Sequence, residues 1–244
     1  MLISVINPNT TVSMTDQIAA AARSVAAPGT EIVGVTPTMG PASIESHYDE
    51  ALAVPGLLDA IIRSERGDKP ADGYLLACFG DPGLDAAREV SSAPVIGIAE
   101  AAMHAASLLG RGFSVVTTLG RTIGRAEELV DRYGMSKVCR GIHACEIPVL
   151  ELESNPDTAA ILIEACRSAA EEDGSDAIVL GCAGMADLAQ LISEKIGVPV
   201  IDGVAAGTLL LQSLVTMRVR PNATGELASP PAKTYTGILS PFGS

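Results

Sequence analysis

Two kinds of hydrophobic pattern alternate along this chain. Short runs rich in β-branched residues occur at 2–6, 31–36, 73–77, 95–98, 114–118, 144–149, 177–180 and 198–201. Each is nearly continuous in apolar side chains, the pattern of a strand buried on both faces. Between them lie Ala- and Leu-rich stretches at 15–26, 48–64, 83–90, 99–109, 122–133, 158–173, 186–196 and 204–217, which predict helices. Strands alternating with helices make βαβ units, so the expected class is α/β with mainly parallel sheets flanked by helices. From Arg220 the pattern stops. Pro221, Pro230, Pro231 and Pro241 with scattered Gly and Ser predict an irregular tail over the surface or at a subunit contact.

Composition narrows the picture. Hydrophobic residues make up 48% and charged residues 18%, which argues for a buried core and against disorder. The net charge of −13 repels phosphate backbones and anionic lipid, so neither nucleic acid nor membrane is an expected partner. No apolar run has the length of a bilayer span. Met1-Leu-Ile-Ser-Val-Ile6 lacks the basic region of a secretion signal and reads as a strand. A cytoplasmic location follows, where the five cysteines stay reduced.

Two segments repeat. Asp72-Gly-Tyr-Leu-Leu-Ala-Cys78-Phe-Gly80 precedes a helix and then Pro94-Val-Ile; Asp176-Ala-Ile-Val-Leu-Gly-Cys182-Ala-Gly184 precedes a helix and then Pro199-Val-Ile. Upstream, Ser4-Val-Ile-Asn7 before Thr10-Thr11 matches Ser114-Val-Val-Thr117-Thr118. The repeat predicts two pseudo-symmetric lobes: residues 1–97 plus about 204–244 in the first, and 98–203 in the second. The last helix repeats the position of 99–109 and crosses back to the first lobe. Open α/β sheets bind ligands beyond the carboxyl ends of their strands. Facing lobes therefore place Cys78 and Cys182 around one cleft.

A lone Cys at a strand end is commonly a small buried hydrophobe. Two at matched positions, each followed by Gly and a helix start, favour function. Backbone N–H groups there stabilise a thiolate without a cationic partner. One thiolate and one thiol on opposite faces of a carbon acid remove a proton from one side and return one to the other, which is racemisation. Asn7, Asn9, Thr117 and Thr118 are candidates to stabilise the enolate. Of the other cysteines, Cys166 falls on an apolar helical stripe and Cys145 inside a strand, so both read as packing. Cys139 and Cys145 have no zinc spacing, and there is neither a phosphate-binding nor a dinucleotide glycine motif. His47, His104 and His143 share no local motif with either Cys.

Ile6-Asn-Pro-Asn-Thr-Thr11, Gly40-Pro-Ala-Ser-Ile-Glu45, Ala77-Cys-Phe-Gly-Asp-Pro-Gly83 and Leu180-Gly-Cys-Ala-Gly-Met185 together resemble the aspartate/glutamate/hydantoin racemase superfamily, in its hydantoin and allantoin racemase branch. The resemblance covers nearly the whole chain. It implies two pseudo-symmetric lobes with the active site between them, no cofactor and no metal, Cys78 and Cys182 as catalytic pair, and a homo-oligomer. Amino-acid racemases of the superfamily carry polar or charged residues after each Cys. Here Phe79-Gly80 and Ala183-Gly184-Met185 offer N–H groups and apolar walls, which suits a neutral ring. Tyr48, Phe79 and Met185 are candidates to contact its C5 substituent. The expected function is a cofactor-independent racemase of 5-substituted hydantoins. An allantoin racemase, an amino-acid racemase and a non-catalytic small-molecule-binding module stand as alternatives.

Overall fold

The computed structural model describes residues 1–243. Eight strands form two four-stranded parallel sheets. The first holds β1 (Leu2–Ile6), β2 (Glu31–Val35), β3 (Gly73–Leu76) and β4 (Val95–Gly97), in the order β2-β1-β3-β4. The second holds β5 (Phe113–Thr117), β6 (Cys139–Ala144), β7 (Ala177–Leu180) and β8 (Val200–Ile201), in the order β6-β5-β7-β8. Each order maps onto the other by the repeat seen in the sequence.

The repeated Asp explains part of this match. Asp72 accepts the Leu2 N–H at 2.7 Å, and Asp176 accepts the Arg111 and Gly112 N–H groups at 2.7 and 3.1 Å. In both lobes the carboxylate that opens the third strand pins the start of the first.

Helices α1 (Val12–Val25), α2 (His47–Glu65) and α3 (Leu84–Val90) belong to the first sheet, and α5 (Ile123–Arg132), α6 (Thr158–Asp173) and α7 (Ala189–Ile196) to the second. The two remaining helices are exchanged. Helix α4 (Ile98–Ser107) leaves β4 and packs on β5, β7 and β8. Helix α8 (Gly203–Thr216) leaves β8 and packs on β3, β4, α1 and α4. One core runs through both lobes as a result, from Ile3, Val5 and Leu75 through Ala99, Ala102 and Met103 to Phe113, Val115 and Val179. Burial of this continuous apolar surface is the main force holding the lobes together.

One strand is displaced from its expected place. The apolar run at 144–149 is not a strand: β6 is Cys139–Ala144, more polar and half-buried. It pairs only with β5, and a sheet edge tolerates Arg140 and His143. The apolar run instead turns at Glu146, with φ of 57°, and descends through Ile147 and Val149 into a short 3-10 helix, Val149–Glu151. Cys145 accordingly lies just past the strand rather than inside it.

The tail carries only short 3-10 turns, Gly225–Leu227 and Gly237–Phe242. Pro230, Pro231, Tyr235, Leu239 and Phe242 face Val54, Pro55 and Leu58 of α2 across a shallow cavity. Among the described residues no helix is long and apolar enough to cross a membrane.

Candidate active site

In each sheet the strand order reverses between the first and third strands, β1 and β3 or β5 and β7. Ligands bind at such a switch point, beyond the strand ends. Both switch points open onto one cavity of about 170 Å³, which has walls from both lobes. Asn7 and Asn9 follow β1, Ala77 and Cys78 follow β3, Thr117 ends β5 with Thr118 after it, and Gly181 and Cys182 follow β7. The two cysteines therefore share this space, each half-buried and free of any disulfide.

The segments after them differ. Cys182 directly precedes a 3-10 helix, Ala183–Leu188, which continues into α7. Cys78 lies in a turn closed by a 3.0 Å bond from the Asp81 N–H to its carbonyl, and α3 begins only at Leu84. The helices expected at 83–90 and 186–196 both form, but α3 begins six residues past Cys78, whereas Cys182 abuts its 3-10 helix directly. The Gly80 backbone beside Cys78 and the Gly184 backbone beside Cys182 each favour the ionised thiol.

These donors do not win against burial. Removal from water disfavours a thiolate. It pushes Cys182 up to about 11 despite the Gly184 N–H, with negative charge on Cys145 and Glu45 adding to the rise. Cys78 is raised as well, again by burial first, with Glu50, Cys182 and Asp81 adding to it against the Gly80 backbone. Against the expectation of readily formed thiolates, burial shifts both sulfurs towards the neutral thiol.

Asn9, Phe79, Gly80, Thr117 and Thr118 line the cavity. The Asn7 amide donates to Asn9 Oδ1 at 2.8 Å and Thr15 Oγ1 at 3.1 Å, and the Asn9 oxygen accepts the Thr11 N–H at 2.9 Å. This network stiffens the turn after β1. The Thr117 hydroxyl is bonded to that of Thr122 at 2.9 Å.

Tyr48 and Met185 lie elsewhere. Tyr48, on the first turn of α2, is 74% exposed and points away from the cavity, because its neighbours His47 and Glu50 occupy the inward face. Met185 has no exposure and packs with Ile178, Leu180, Leu152 and Ile192 behind the second sheet. Gly184 also stands outside the cavity wall and approaches it only through its N–H to Cys182.

The structure adds charged groups that the residues flanking the cysteines did not announce. Glu45, His47, Glu50, Arg121 and Arg125 all line the cavity. Arg125 of α5 crosses from the second lobe and donates to the Gly80 carbonyl from Nη2 at 2.7 Å and Nε at 3.2 Å. Its Nε also lies 3.3 Å from Glu50 Oε2 on α2. Glu50 packs so tightly over Gly80 that a Cβ there would overlap its carboxylate. Burial raises the Glu50 pKa, and Arg125 and then His47 pull it back. Glu45 Oε1 accepts the Val149 N–H of the other lobe at 2.8 Å. Glu45 ends one of the family-like segments, whereas Glu50 and Arg125 carry no local signal and meet only through the tertiary fold. Among the described residues no group of three or more His, Cys, Asp or Glu is placed to hold a metal ion.

Comparison with known proteins places this site. A family model described as Asp/Glu/hydantoin racemase matches residues 3–211. A hydantoin racemase from Pseudomonas sp. (strain NS671) is 46% identical over 244 residues, covering 100% of this chain and 97% of that one. An allantoin racemase structure from Klebsiella pneumoniae has a TM-score of 0.95 and 49% identity, covering 100% of this chain and 99% of that one. Another from Pseudomonas fluorescens has a TM-score of 0.92 and 39% identity, covering 97% and 100%. Fold, site and matches define an isomerase of the racemase class. Within that class, the chain belongs to the Asp/Glu/hydantoin racemase family.

Proposed function

We propose that the protein racemises 5-substituted hydantoins at C5 without a cofactor, with Cys78 and Cys182 acting on opposite faces of the ring. The observation that carries this reading is the pair of free strand-end thiols on one small cavity. One sulfur, as thiolate, takes the C5 proton. The electron pair of the broken C–H bond moves into the ring carbonyl to form an enolate. The other thiol returns a proton to C5 from the far face, leaving the pair with exchanged roles. Raised thiol pKa values make each thiolate a stronger base once formed. The hydroxyls of Thr117 and Thr118 and the polar strand ends supply donors for the enolate oxygen.

The test is to incubate single enantiomers of several hydantoins in D₂O. Loss of optical rotation accompanied by deuterium at C5 is expected. Retention of rotation with every hydantoin, allantoin included, overturns the reading.

Allantoin as the preferred substrate is a second reading, favoured by the charged wall of Glu45, His47, Glu50, Arg121 and Arg125. A ureido group at C5 offers both donors and an acceptor to such a wall, and a benzyl group offers neither. A higher kcat/KM for allantoin than for benzylhydantoin is expected on this reading, and the reverse order removes it.

A further inference from the structure

The pseudo-symmetry of the two lobes fails at one place close to Cys78. Helix α8 is capped by its own preceding residue: Asp202 Oδ1 accepts the Val204 and Ala205 N–H groups at 2.7 and 3.0 Å. The corresponding residue before α4, aligned by the repeated Pro-Val-Ile, is Gly97. It has no side chain to cap with, although its backbone (φ −90°, ψ 149°) matches that of Asp202 (φ −91°, ψ 140°). The cap of α4 comes instead from Asp81, three residues after Cys78. Its Oδ1 accepts the Ala99 N–H at 3.1 Å and its Oδ2 the Glu100 N–H at 3.0 Å. A Cβ on Gly97 would overlap this carboxylate. Three residues after Cys182 stands Met185, a core residue.

Asp81 makes a third bond. The Tyr133 hydroxyl, at the end of α5 in the second lobe, donates to Oδ2 at 2.6 Å. Arg132 lies 5.9 Å above the Tyr133 ring, and His104 of α4 packs at 6.5 Å from it. The Asp81 backbone has φ of 44°, a left-handed conformation that is uncommon outside glycine. It is further disfavoured before Pro82. Such strain persists where surrounding contacts over-determine it, and it clusters at functional sites. Three donors converge on this one buried carboxylate, while its own N–H closes the Cys78 turn.

We propose that Asp81 is a positioning residue for Cys78: it ties the turn bearing this thiol to the first turn of α4 and to Tyr133 of the opposite lobe, and so fixes the sulfur across the cleft from Cys182. The proposal rests on the two-thiol reading. An ordinary helix cap would need only a residue at position 97, as α8 has at 202. Placing the carboxylate on the cysteine turn instead makes Cys78 dependent on the α4 and Tyr133 contacts. Cys182 has no such tether.

The experiment uses Asp81→Asn, Tyr133→Phe, and the double variant Asp81→Met with Gly97→Asp, which copies the second lobe's arrangement into the first. The double variant restores a cap to α4 without tying it to the Cys78 turn. Its Tm should return to near the wild-type value, while racemisation stays down by on the order of 10- to 100-fold, the cost of an ångström-scale misplacement. In D₂O, the enantiomer that Cys78→Ser still exchanges should now gain deuterium faster than it inverts, whereas its mirror image should not. Asp81→Asn and Tyr133→Phe should shift the exchange in the same sense. Recovery of racemisation together with Tm, or equal loss of exchange from both enantiomers, overturns the proposal. Iodoacetamide labelling, followed by peptide mass analysis, reads the same question without substrate. Cys78 should label several-fold faster in the double variant and Cys182 at an unchanged rate; equal rates at both, or no change at Cys78, overturn it. If wild-type protein racemises no hydantoin, the functional reading falls, and this labelling still decides whether Asp81 places Cys78.

Discussion

The guanidinium of Arg125 holds the carbonyl of Gly80 from the opposite lobe, with bonds of 2.7 and 3.2 Å two residues from Cys78. The same side chain reaches Glu50 on α2. One residue of α5 thus ties the Cys78 turn to the α2 wall of the cavity. Lysine carries the charge but not the fork of donors. Arg125→Lys should lower kcat/KM by roughly 10- to 100-fold, with a small change in Tm because the site is at the cavity edge and not in the core. Steady-state kinetics with a thermal melt checks this; unchanged kcat/KM counts against the clamp.

The two cysteines divide the faces of the substrate. Cys78→Ser and Cys182→Ser should each abolish racemisation. Each should still exchange the C5 proton of one enantiomer with solvent, and the two variants should choose opposite enantiomers. Proton NMR in D₂O on each pure enantiomer reads this directly. Identical loss for both enantiomers in both variants would falsify the division.

Burial of the thiols sets the pH dependence. Cys182 is raised to about 11 and Cys78 is raised too, so the protonated form of the base is favoured at neutral pH. The kcat/KM should climb between about pH 7 and 10, by up to roughly tenfold per unit while the thiolate fraction grows. A plateau reached below about pH 8 contradicts the raised values. Stability moves the other way. The Cys182 thiol rises from 9.0 to about 11 on folding, so across that window the native state holds a proton that the unfolded chain has lost. This contribution is complete below pH 9 and declines as pH rises towards 11. Melts at about pH 8 and pH 10.5 should show a smaller drop for Cys182→Ser than for wild type.

Gly80 is constrained by contact, since Glu50 covers its Cα. Gly80→Ala should drive the Glu50 carboxylate off the turn and weaken its ion pair with Arg125. The expected result is a fall in kcat/KM that Glu50→Ala, which makes room for the methyl group, does not deepen. Additive losses in the double variant would place the two residues in separate roles.

Tyr48 and Met185 separate surface from core. Tyr48→Ala should leave kcat/KM within about twofold, as surface substitutions usually do. Met185→Ala empties a fully buried position and should cost about 2–5 kcal/mol of stability, measured by urea denaturation. A large kinetic effect at Tyr48 would return it to the site.

Much of this architecture was legible because each strand is buried on both faces and so writes a continuous apolar run. The repeat around Cys78 and Cys182 was legible because the same two-sheet solution uses the same Asp, Gly and Pro-Val-Ile positions twice. Strand β6 was misplaced for the opposite reason: an edge strand carrying Arg140 and His143 writes no apolar run, while the run beside it is buried as a turn. Tyr48 and Met185 failed because proximity in sequence to a pocket residue does not say which way a helical side chain faces. Glu50 and Arg125 were invisible because their meeting depends on two helices from different lobes. Burial of the thiols was not legible because backbone donors are local in sequence, whereas desolvation is a property of the folded cleft.

The exchange of α4 and α8 gives the chain a direction. During synthesis the first sheet is complete after β4, but Leu75 and Gly73 await Gly207 and Leu211 of α8, the last helix to emerge. Until then an apolar sheet face stands open, the kind of surface that makes partly folded chains aggregate. A nascent chain stopped just before Gly203 therefore already possesses both cysteines and both sheets, yet lacks the helix that covers the first of them. Products truncated before α8 should be sticky rather than merely inactive.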